Sequence, residues 1–180
     1  MDTFFLGIDP SATGTGVSLI SNISSETLHI RPGKRRDAER LQYIHSELKS
    51  FLEGKLIFMG VMEAPSYGST HKEFILGEVL GVLKLTLIEL GIFSVSVPPT
   101  QLKLFLAGKG TASKEEMISA AGKWGCPSTN SDICDSWAAA LLCRDLLLQP
   151  TVVTRSALEV RKRVGDKNSK DIQMVLNKKV

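Results

Sequence analysis

Four carboxylates stand out in this 180-residue sequence because of where they lie. Asp9 and Glu63 each end an apolar run of the kind expected for a buried strand. Asp132 and Asp135 lie three residues apart in the first turn of a predicted helix, so both project from one face. Carboxylate oxygens without His or Cys partners are ligands for Mg²⁺ or Mn²⁺. If these segments meet, the sequence predicts a site for a pair of divalent ions that could activate water against a phosphodiester.

Each acid also has a simpler interpretation. An Asp that follows a strand commonly caps a turn, so Asp9 alone supports either interpretation. Carboxylates at a helix start compensate the helix dipole, which would account for Asp132 and Asp135. We favour the metal site for the set as a whole, because clustered carboxylates repel one another unless a cation is present. The three histidines have no ligand spacing, and the sequence assigns them no role.

The apolar pattern predicts the elements that carry these acids. Two apolar runs flank a turn rich in Gly, Ser and Thr and predict a β-hairpin over residues 4–20. The pattern then predicts strands at 27–30, 56–62 and 92–97, and helices at 38–52, 71–90, 100–106, 113–124 and 132–149. Three sequential strands followed by alternating helices and strands predict an α/β fold. We expect a mixed five-stranded sheet with helices on both faces, the ribonuclease H-like arrangement.

The predicted helix over residues 71–90 is apolar on more than one face. Such a helix is either central in the core or buried against a second subunit. Gly77 and Gly81 lie about one turn apart and would let another backbone approach closely. We therefore expect a homodimer contact through this helix, with an ordinary core helix as the alternative.

A second candidate site is basic. Lys109 and Lys114 flank the start of a helix for which Ser113 and Glu116 predict a capping box. Exposed backbone N–H groups, the positive end of the helix dipole and two ammonium groups together form a site for phosphate. A solvated loop with ordinary surface lysines is the alternative.

Composition narrows the class of protein. The hydrophobic fraction of 43% and the charged fraction of 23% are typical of a globular protein, and the length suits one domain. A net charge of +3 favours a polyanionic partner only weakly. We expect no membrane span and no secretory signal, and the three cysteines have no ligand pattern. These features predict reduced thiols in a cytoplasm-like compartment, with an organelle matrix still open.

Positive charge is concentrated towards the C-terminus. Residues 151–180 contain eight Lys or Arg and three Asp or Glu, whereas residues 1–150 contain 14 and 16. Pro150 ends the last predicted helix. We therefore divide the chain into a nuclease-like domain over residues 1–150 and a basic tail over residues 151–180. The tail is either a solvated, flexible segment or an arm that binds DNA.

Several segments also match a known family in order and in spacing. They are Gly7-Ile8-Asp9-Pro10-Ser11 with Thr13-Gly14, Met62-Glu63, Leu76-Gly77-Glu78-Val79-Leu80-Gly81-Val82, Thr100-Gln101-Leu102-Lys103, Gly108-Lys109-Gly110-Thr111-Ala112-Ser113-Lys114 and Ser131-Asp132-Ile133-Cys134-Asp135-Ser136-Trp137-Ala138. Over about residues 4–148 the chain thus resembles RuvC-type Holliday junction resolvases, members of the ribonuclease H-like superfamily, and a phage origin is compatible with it. Each segment is weakly specific by itself, whereas the ordered set is strongly specific.

The resemblance implies a homodimer, formed through the helix at 71–90, that binds a four-way DNA junction. It implies symmetric cutting of two strands with two Mg²⁺ ions per active site, for which Mn²⁺ can substitute. It also assigns the roles of ligand and catalyst to the four acids, which are Asp9, Glu63, Asp132 and Asp135.

The resemblance implies DNA-backbone contacts as well. Lys103 and Lys114 match basic residues that family members use near DNA, and we add Lys109 as a candidate. The family places an aromatic wedge soon after the glutamate, and Tyr67 lies in that loop but out of register. We match the basic tail to no segment of the family.

We therefore expect a magnesium-dependent, structure-selective endonuclease acting on four-way junctions in a bacterial or phage-infected cell. One alternative is another ribonuclease H-like nuclease with a branched DNA or an RNA substrate. A second is a non-catalytic junction-binding protein. An actin-like or Hsp70-like ATPase shares the Gly-Ile-Asp hairpin but needs two lobes, and this chain has room for one.

Overall fold

The computed structural model describes residues 2–65 and 70–178. The strands are β1 (Thr3–Asp9), β2 (Thr15–Ile20), β3 (Ser25–Ile30), β4 (Leu56–Glu63) and β5 (Ser94–Val97). The helices are α1 (Asp37–Leu52), α2 (Thr70–Glu89), α3 (Pro99–Ala107), α4 (Lys114–Lys123), α5 (Ser131–Leu147), α6 (Arg155–Lys167) and α7 (Ser169–Lys178). Tyr67 lies outside the described residues. None of the helices in these two ranges is long and apolar enough to cross a membrane.

The strands form one mixed sheet in the order β3-β2-β1-β4-β5. β1 pairs antiparallel with β2 and parallel with β4, and β4 pairs parallel with β5. Ile8 is in register with Met62, so Asp9 and Glu63 follow paired residues of two neighbouring parallel strands. The predicted α/β fold with a mixed five-stranded sheet is confirmed.

Side chains alternate along the strands and build a core on each face of the sheet. Phe5 contributes to the core formed with α3, α4, α5 and α6, whereas Leu6 contributes to the core formed with α1 and α2. This alternation follows from the two-residue period of a strand. Helices therefore cover both faces, as predicted.

Helix α5 packs unusually close to the sheet because β1 contains Gly7. A Cβ atom at Gly7 would lie 1.9 Å from the carbonyl oxygen of Ser136 and 2.3 Å from the amide nitrogen of Ala140. The buried hydroxyls of Ser18 and Ser136 lie 2.7 Å apart and form a hydrogen bond between β2 and α5. These contacts fix the position of α5 over the centre of the sheet.

Two helices, α6 and α7, form most of the described part of the basic tail, which the sequence interpretation did not anticipate. Helix α6 buries Ala157, Val160 and Val164 against the rest of the chain, and α7 buries Ile172. The apolar residues recur at helical spacing, so each helix has one face for packing and one face for its charges. The tail is therefore packed on the domain over this range, and its treatment as a separate unit after residue 150 remains a prediction.

Candidate active site

The sheet places two of the four acids at one edge. Asp9 is the last residue of β1 and Glu63 is the last residue of β4, and the two strands run parallel. Neighbouring parallel strands end at the same edge, so their terminal side chains lie close together. Burial raises the pKa of Asp9, and the charge of Glu63 raises it further, as expected for two neighbouring carboxylates.

The start of α5 supplies the other two acids at the same edge. The Asn130 side chain caps the helix by accepting hydrogen bonds from the backbone N–H groups of Asp132 (3.0 Å) and Ile133 (3.1 Å). Gly16, the residue that pairs with Asp9, brings β2 against this helix start. A Cβ atom at Gly16 would lie 2.0 Å from the carbonyl oxygen of Asp132, so only glycine allows this approach.

Burial and mutual repulsion disfavour the ionised forms of these acids. Burial raises the pKa of Asp9 well above its usual value, and the charges of Glu63, Asp135 and Asp132 add to the shift. Burial, helped by the charge of Asp135, raises the pKa of Glu63 to about 7. Burial also raises the pKa of Asp135 to about 6. A bound cation would relieve this repulsion, because it favours the ionised form of each carboxyl.

Two of the three predicted lysines lie close enough to influence these acids. Lys103 of α3 lowers the pKa of Glu63 and of Asp135, in opposition to their burial. Lys114, at the start of α4, lowers the pKa of Asp9 and of Asp135, again in opposition to burial. The basic groups therefore border the acidic cluster.

Lys109 is placed differently from Lys114. Its Nζ atom lies 2.5 Å from Oε1 of Glu116, and both side chains are about half exposed. Glu116 also accepts a hydrogen bond from the backbone N–H of Ser113, and the Glu116 N–H donates to Ser113 Oγ, which completes the predicted capping box. Lys109 is thus held by the cap of α4, which weakens the case for a free phosphate-binding ammonium there.

The sequence interpretation missed one residue at this site, His29 of β3. Its Nε2 atom lies 2.9 Å from Oδ2 of Asp132, and its Nδ1 atom accepts a hydrogen bond of 2.9 Å from Nε of Arg31. A histidine in a strand 103 residues from its partner has no motif spacing, so the sequence offered no basis for finding it.

The carboxylate oxygens of these acids are suitable ligands for a hard divalent cation. Their side chains are nevertheless too far apart to form a complete coordination site. Within residues 2–65 and 70–178, no three His, Cys, Asp or Glu side chains are grouped closely enough to hold an ion. Oxygen donors with uncompensated negative charge are what Mg²⁺ and Mn²⁺ prefer. Ion binding would therefore draw these carboxylates closer together.

Comparison with known proteins gives consistent matches. Crossover junction endodeoxyribonuclease RuvC from Parasynechococcus marenigrum (strain WH8102) is 29% identical over 122 residues, 64% of this chain and 79% of the relative. The protein of the same name from Synechococcus sp. (strain WH7803) is 26% identical over 145 residues, 76% of this chain and 94% of the relative. No family model matches the chain.

The fold has matches among solved structures as well. T. thermophilus RuvC in complex with Holliday junction substrate matches with a TM-score of 0.65 and 25% identity, over 78% of this chain and 90% of that chain. A second Thermus thermophilus RuvC structure matches with a TM-score of 0.59 at 24% identity. The resemblance first seen in the ordered motifs is confirmed: in sequence and in fold, this chain is similar to RuvC-type resolvases, and it has their ribonuclease H-like fold.

Proposed function

We propose that this protein is a divalent-metal-dependent endodeoxyribonuclease that selectively cleaves four-way DNA junctions. The observation that carries the proposal is the gathering of acids from three separate segments at one sheet edge, where burial and repulsion raise the pKa values of Asp9, Glu63 and Asp135. Structural carboxylates are normally paired or hydrogen-bonded, so such an arrangement is typical of a functional site.

The four acids are the proposed ligands and catalytic residues: Asp9, Glu63, Asp132 and Asp135. RuvC-type nucleases depend on a divalent metal, and we propose Mg²⁺, replaceable by Mn²⁺, with two ions per site. Bound ions would activate a water and stabilise the leaving oxygen of the phosphodiester. Breaking the bond between phosphorus and the 3′ oxygen leaves a 5′-phosphate and a 3′-hydroxyl.

The bordering lysines would hold the DNA backbone in place over the acids. Lys103 and Lys114 interact with the acidic cluster, so a phosphate at the site would lie within their electrostatic range. Lys109 would contribute only if its ion pair with Glu116 opens. Tyr67 follows Glu63 closely in the chain and stays a candidate wedge on the strength of the family resemblance alone.

We also propose a homodimer formed through α2. Phe74 and Ile88 on this helix are 71% and 73% exposed, and Leu85 is 53% exposed. Apart from the adjoining residues and backbone of α2 itself, no atom of the described residues lies within 4 Å of a Cβ built at Gly77 or Gly81. Glu78 and Lys84 are exposed beside these residues. A face with three exposed apolar side chains and two glycines suits a second copy of the same helix, and two active sites could then cut two strands of one junction.

Size measurement tests the dimer. Ile88→Glu should shift the protein from dimer to monomer in sedimentation experiments and should uncouple the two cuts, because it places a charge in the proposed interface. Ile23→Glu is the matched control, since Ile23 is 85% exposed in the turn between β2 and β3. A wild-type protein that sediments as a monomer at micromolar concentration would contradict this part of the proposal.

A cleavage assay tests the nuclease. Wild-type protein should cut a mobile four-way junction in Mg²⁺ and leave it intact in EDTA. Asp9→Asn should bind the junction without cutting it, because binding depends mainly on phosphate contacts. Undiminished cutting by Asp9→Asn would contradict the assigned site, and binding without cutting by the wild type would favour a non-catalytic junction-binding protein.

A substrate panel tests the selectivity. The junction, a flap, a linear duplex and an RNA:DNA hybrid should be offered at equal concentration. We expect the junction to be cut fastest. Preference for the flap or the hybrid would instead identify another kind of ribonuclease H-like nuclease. The proposed place of action is the cytoplasm of a bacterial or phage-infected cell, where such junctions form.

A further inference from the structure

Asp132 differs from the other acids because both of its carboxylate oxygens have a hydrogen-bond partner. Oδ2 contacts His29 Nε2 at 2.9 Å, and Oδ1 accepts a hydrogen bond of 3.2 Å from Ser131 Oγ. Its backbone N–H is held by the Asn130 cap. The orientation of the Asp132 carboxylate is therefore determined by its neighbours before any ion arrives.

The proton position on His29 follows from Arg31. An arginine N–H can only donate, so Nδ1 of His29 must be the accepting nitrogen. The proton of the neutral ring is then on Nε2, where it is donated to Oδ2 of Asp132. Arg31, His29 and Asp132 thus form a directed chain of hydrogen bonds from the exposed end of β3 to the acidic site.

Gly14 has no side chain, and this leaves space for the hydrogen bond between His29 and Asp132. A Cβ atom at Gly14 would lie 2.6 Å from His29 Nε2 and 2.8 Å from Asp132 Oδ2. Any other residue at Gly14 would press on both partners of the hydrogen bond. The His29 side chain is 17% exposed and the Asp132 side chain is 32% exposed, so the contact is partly shielded from solvent.

We propose that His29 is a positioning residue that orients the Asp132 carboxylate for metal binding, in the Nε2–H tautomer selected by Arg31. This inference rests on the proposed function. Hydrogen-bonding partners behind a metal ligand commonly fix the ligand's orientation, and their loss typically costs about 10–100-fold in metal affinity or activity. His29 needs no contact with DNA or metal in this role.

The test compares three variants with the wild type. His29→Leu removes the donor at similar volume, and His29→Gln keeps an N–H donor. His45→Leu is the matched control, because His45 forms an equivalent 3.0 Å contact with Glu89 on the surface. Calorimetry measures binding of Mn²⁺ alone to each DNA-free protein, and junction cleavage is measured across Mg²⁺ concentrations.

We expect His29→Leu to weaken Mn²⁺ binding about 10-fold or more and to raise the half-saturating Mg²⁺ concentration similarly. Cleavage at saturating Mg²⁺ should fall much less, and His29→Gln should recover most of the affinity. Junction binding in EDTA should not change in any variant. Equal Mn²⁺ affinity in wild type and His29→Leu would overturn the inference.

A measurement on the unmodified protein covers the case in which His29→Leu fails to fold. Long-range ¹⁵N NMR should show His29 as the Nε2–H tautomer, and an Nδ1–H tautomer would overturn the inference. A wild type that cuts junctions, with a His29→Leu variant of unchanged metal affinity, leaves the proposed function intact. A wild type that neither binds Mn²⁺ nor cuts would instead overturn the proposed function, and this inference with it.

Discussion

Helix α5 carries an acid near each end, and the two carboxylates lie in different environments. At the C-terminal end, Asp145 is fully buried and accepts hydrogen bonds from the backbone N–H groups of Thr151 (2.9 Å) and Val152 (3.0 Å). Near the start, the half-buried carboxylate of Asp135 forms no hydrogen bond within the described part of the chain. Burial raises its pKa to about 6.

This difference indicates that Asp145 stabilises the fold, whereas Asp135 is available to bind a ligand. Buried polar groups in native proteins are almost always hydrogen-bonded, and exceptions need an explanation. Asp145 obeys this rule by holding the segment that leads into α6. Asp135 is only half-buried, so its carboxylate stays accessible to a ligand, and the pKa values of its neighbours Asp9 and Glu63 are raised as well. Binding of a cation is the simplest reason for a fold to keep such a cluster.

The largest expected effect is on catalysis, from the start of α5. Asp135→Asn should lower junction cleavage by about a hundredfold or more, because loss of a metal ligand removes several kcal/mol of transition-state stabilisation. Its melting temperature without metal should stay equal to or above that of the wild type, because a repulsive charge is removed. Gel-based cleavage and thermal melts check the two effects. If Asp135→Asn melts far below the wild type, then Asp135 also stabilises the fold, and it does not differ from Asp145 in the way proposed.

At the other end of α5, the expected effect is on stability. Asp145→Ala leaves two buried N–H groups without an acceptor, which should lower the free energy of unfolding by about 1–3 kcal/mol. For a protein of this size, that corresponds to a melting temperature lower by about 2–12 °C. Cleavage per folded molecule should not change. A folded variant that has lost cleavage would show that this end of α5 also serves the active site.

The pH dependence of metal-free stability gives a smaller effect with a definite sign. Burial raises the pKa of Glu63 to about 7, so the folded protein holds this proton more tightly than the unfolded chain. The resulting stabilisation is fully present below the ordinary carboxyl pKa and is lost as the pH rises through about 7.

Thermal melts in EDTA between pH 5 and pH 8 check this prediction. Glu63→Gln should remove part of the pH dependence and should raise the melting temperature at pH 8 by about 2–4 °C, on the order of 1 kcal/mol. Mg²⁺ should stabilise the wild type most at high pH, because it binds the ionised carboxylates. A pH profile identical in Glu63→Gln and wild type would show that Glu63 is not perturbed.

The smallest effect is expected from the basic tail. Lys162 and Lys167 are exposed on α6 while the opposite face of this helix packs on the domain. If the tail binds DNA, replacing both lysines by Glu should remove about one to two phosphate contacts. The plot of log affinity against log salt concentration should then become less steep by a corresponding amount. Lys123→Glu, at the end of α4, is the control. An unchanged salt slope would show that the tail does not bind DNA and has a packing role.

The order of elements and the positions of the acids could be predicted from the sequence. Apolar runs that stop at Asp9 and Glu63 marked two buried strands, and the structure pairs these strands as neighbours. The capping box of α4, formed by Ser113 and Glu116, is a local signal and is confirmed. The helices of the tail were missed because their high charge outweighed a short apolar periodicity.

What the sequence determined by itself was the local pattern: strand and helix periods, caps, and the type of ligand that four carboxylates would suit. Only the tertiary structure decided which groups share an environment, because contacts across distant segments depend on packing. The close approach of α5 to β1 at Gly7 and to β2 at Gly16 places the helix start at the strand ends. The same packing places His29 against Asp132, and no spacing in the chain encodes that contact.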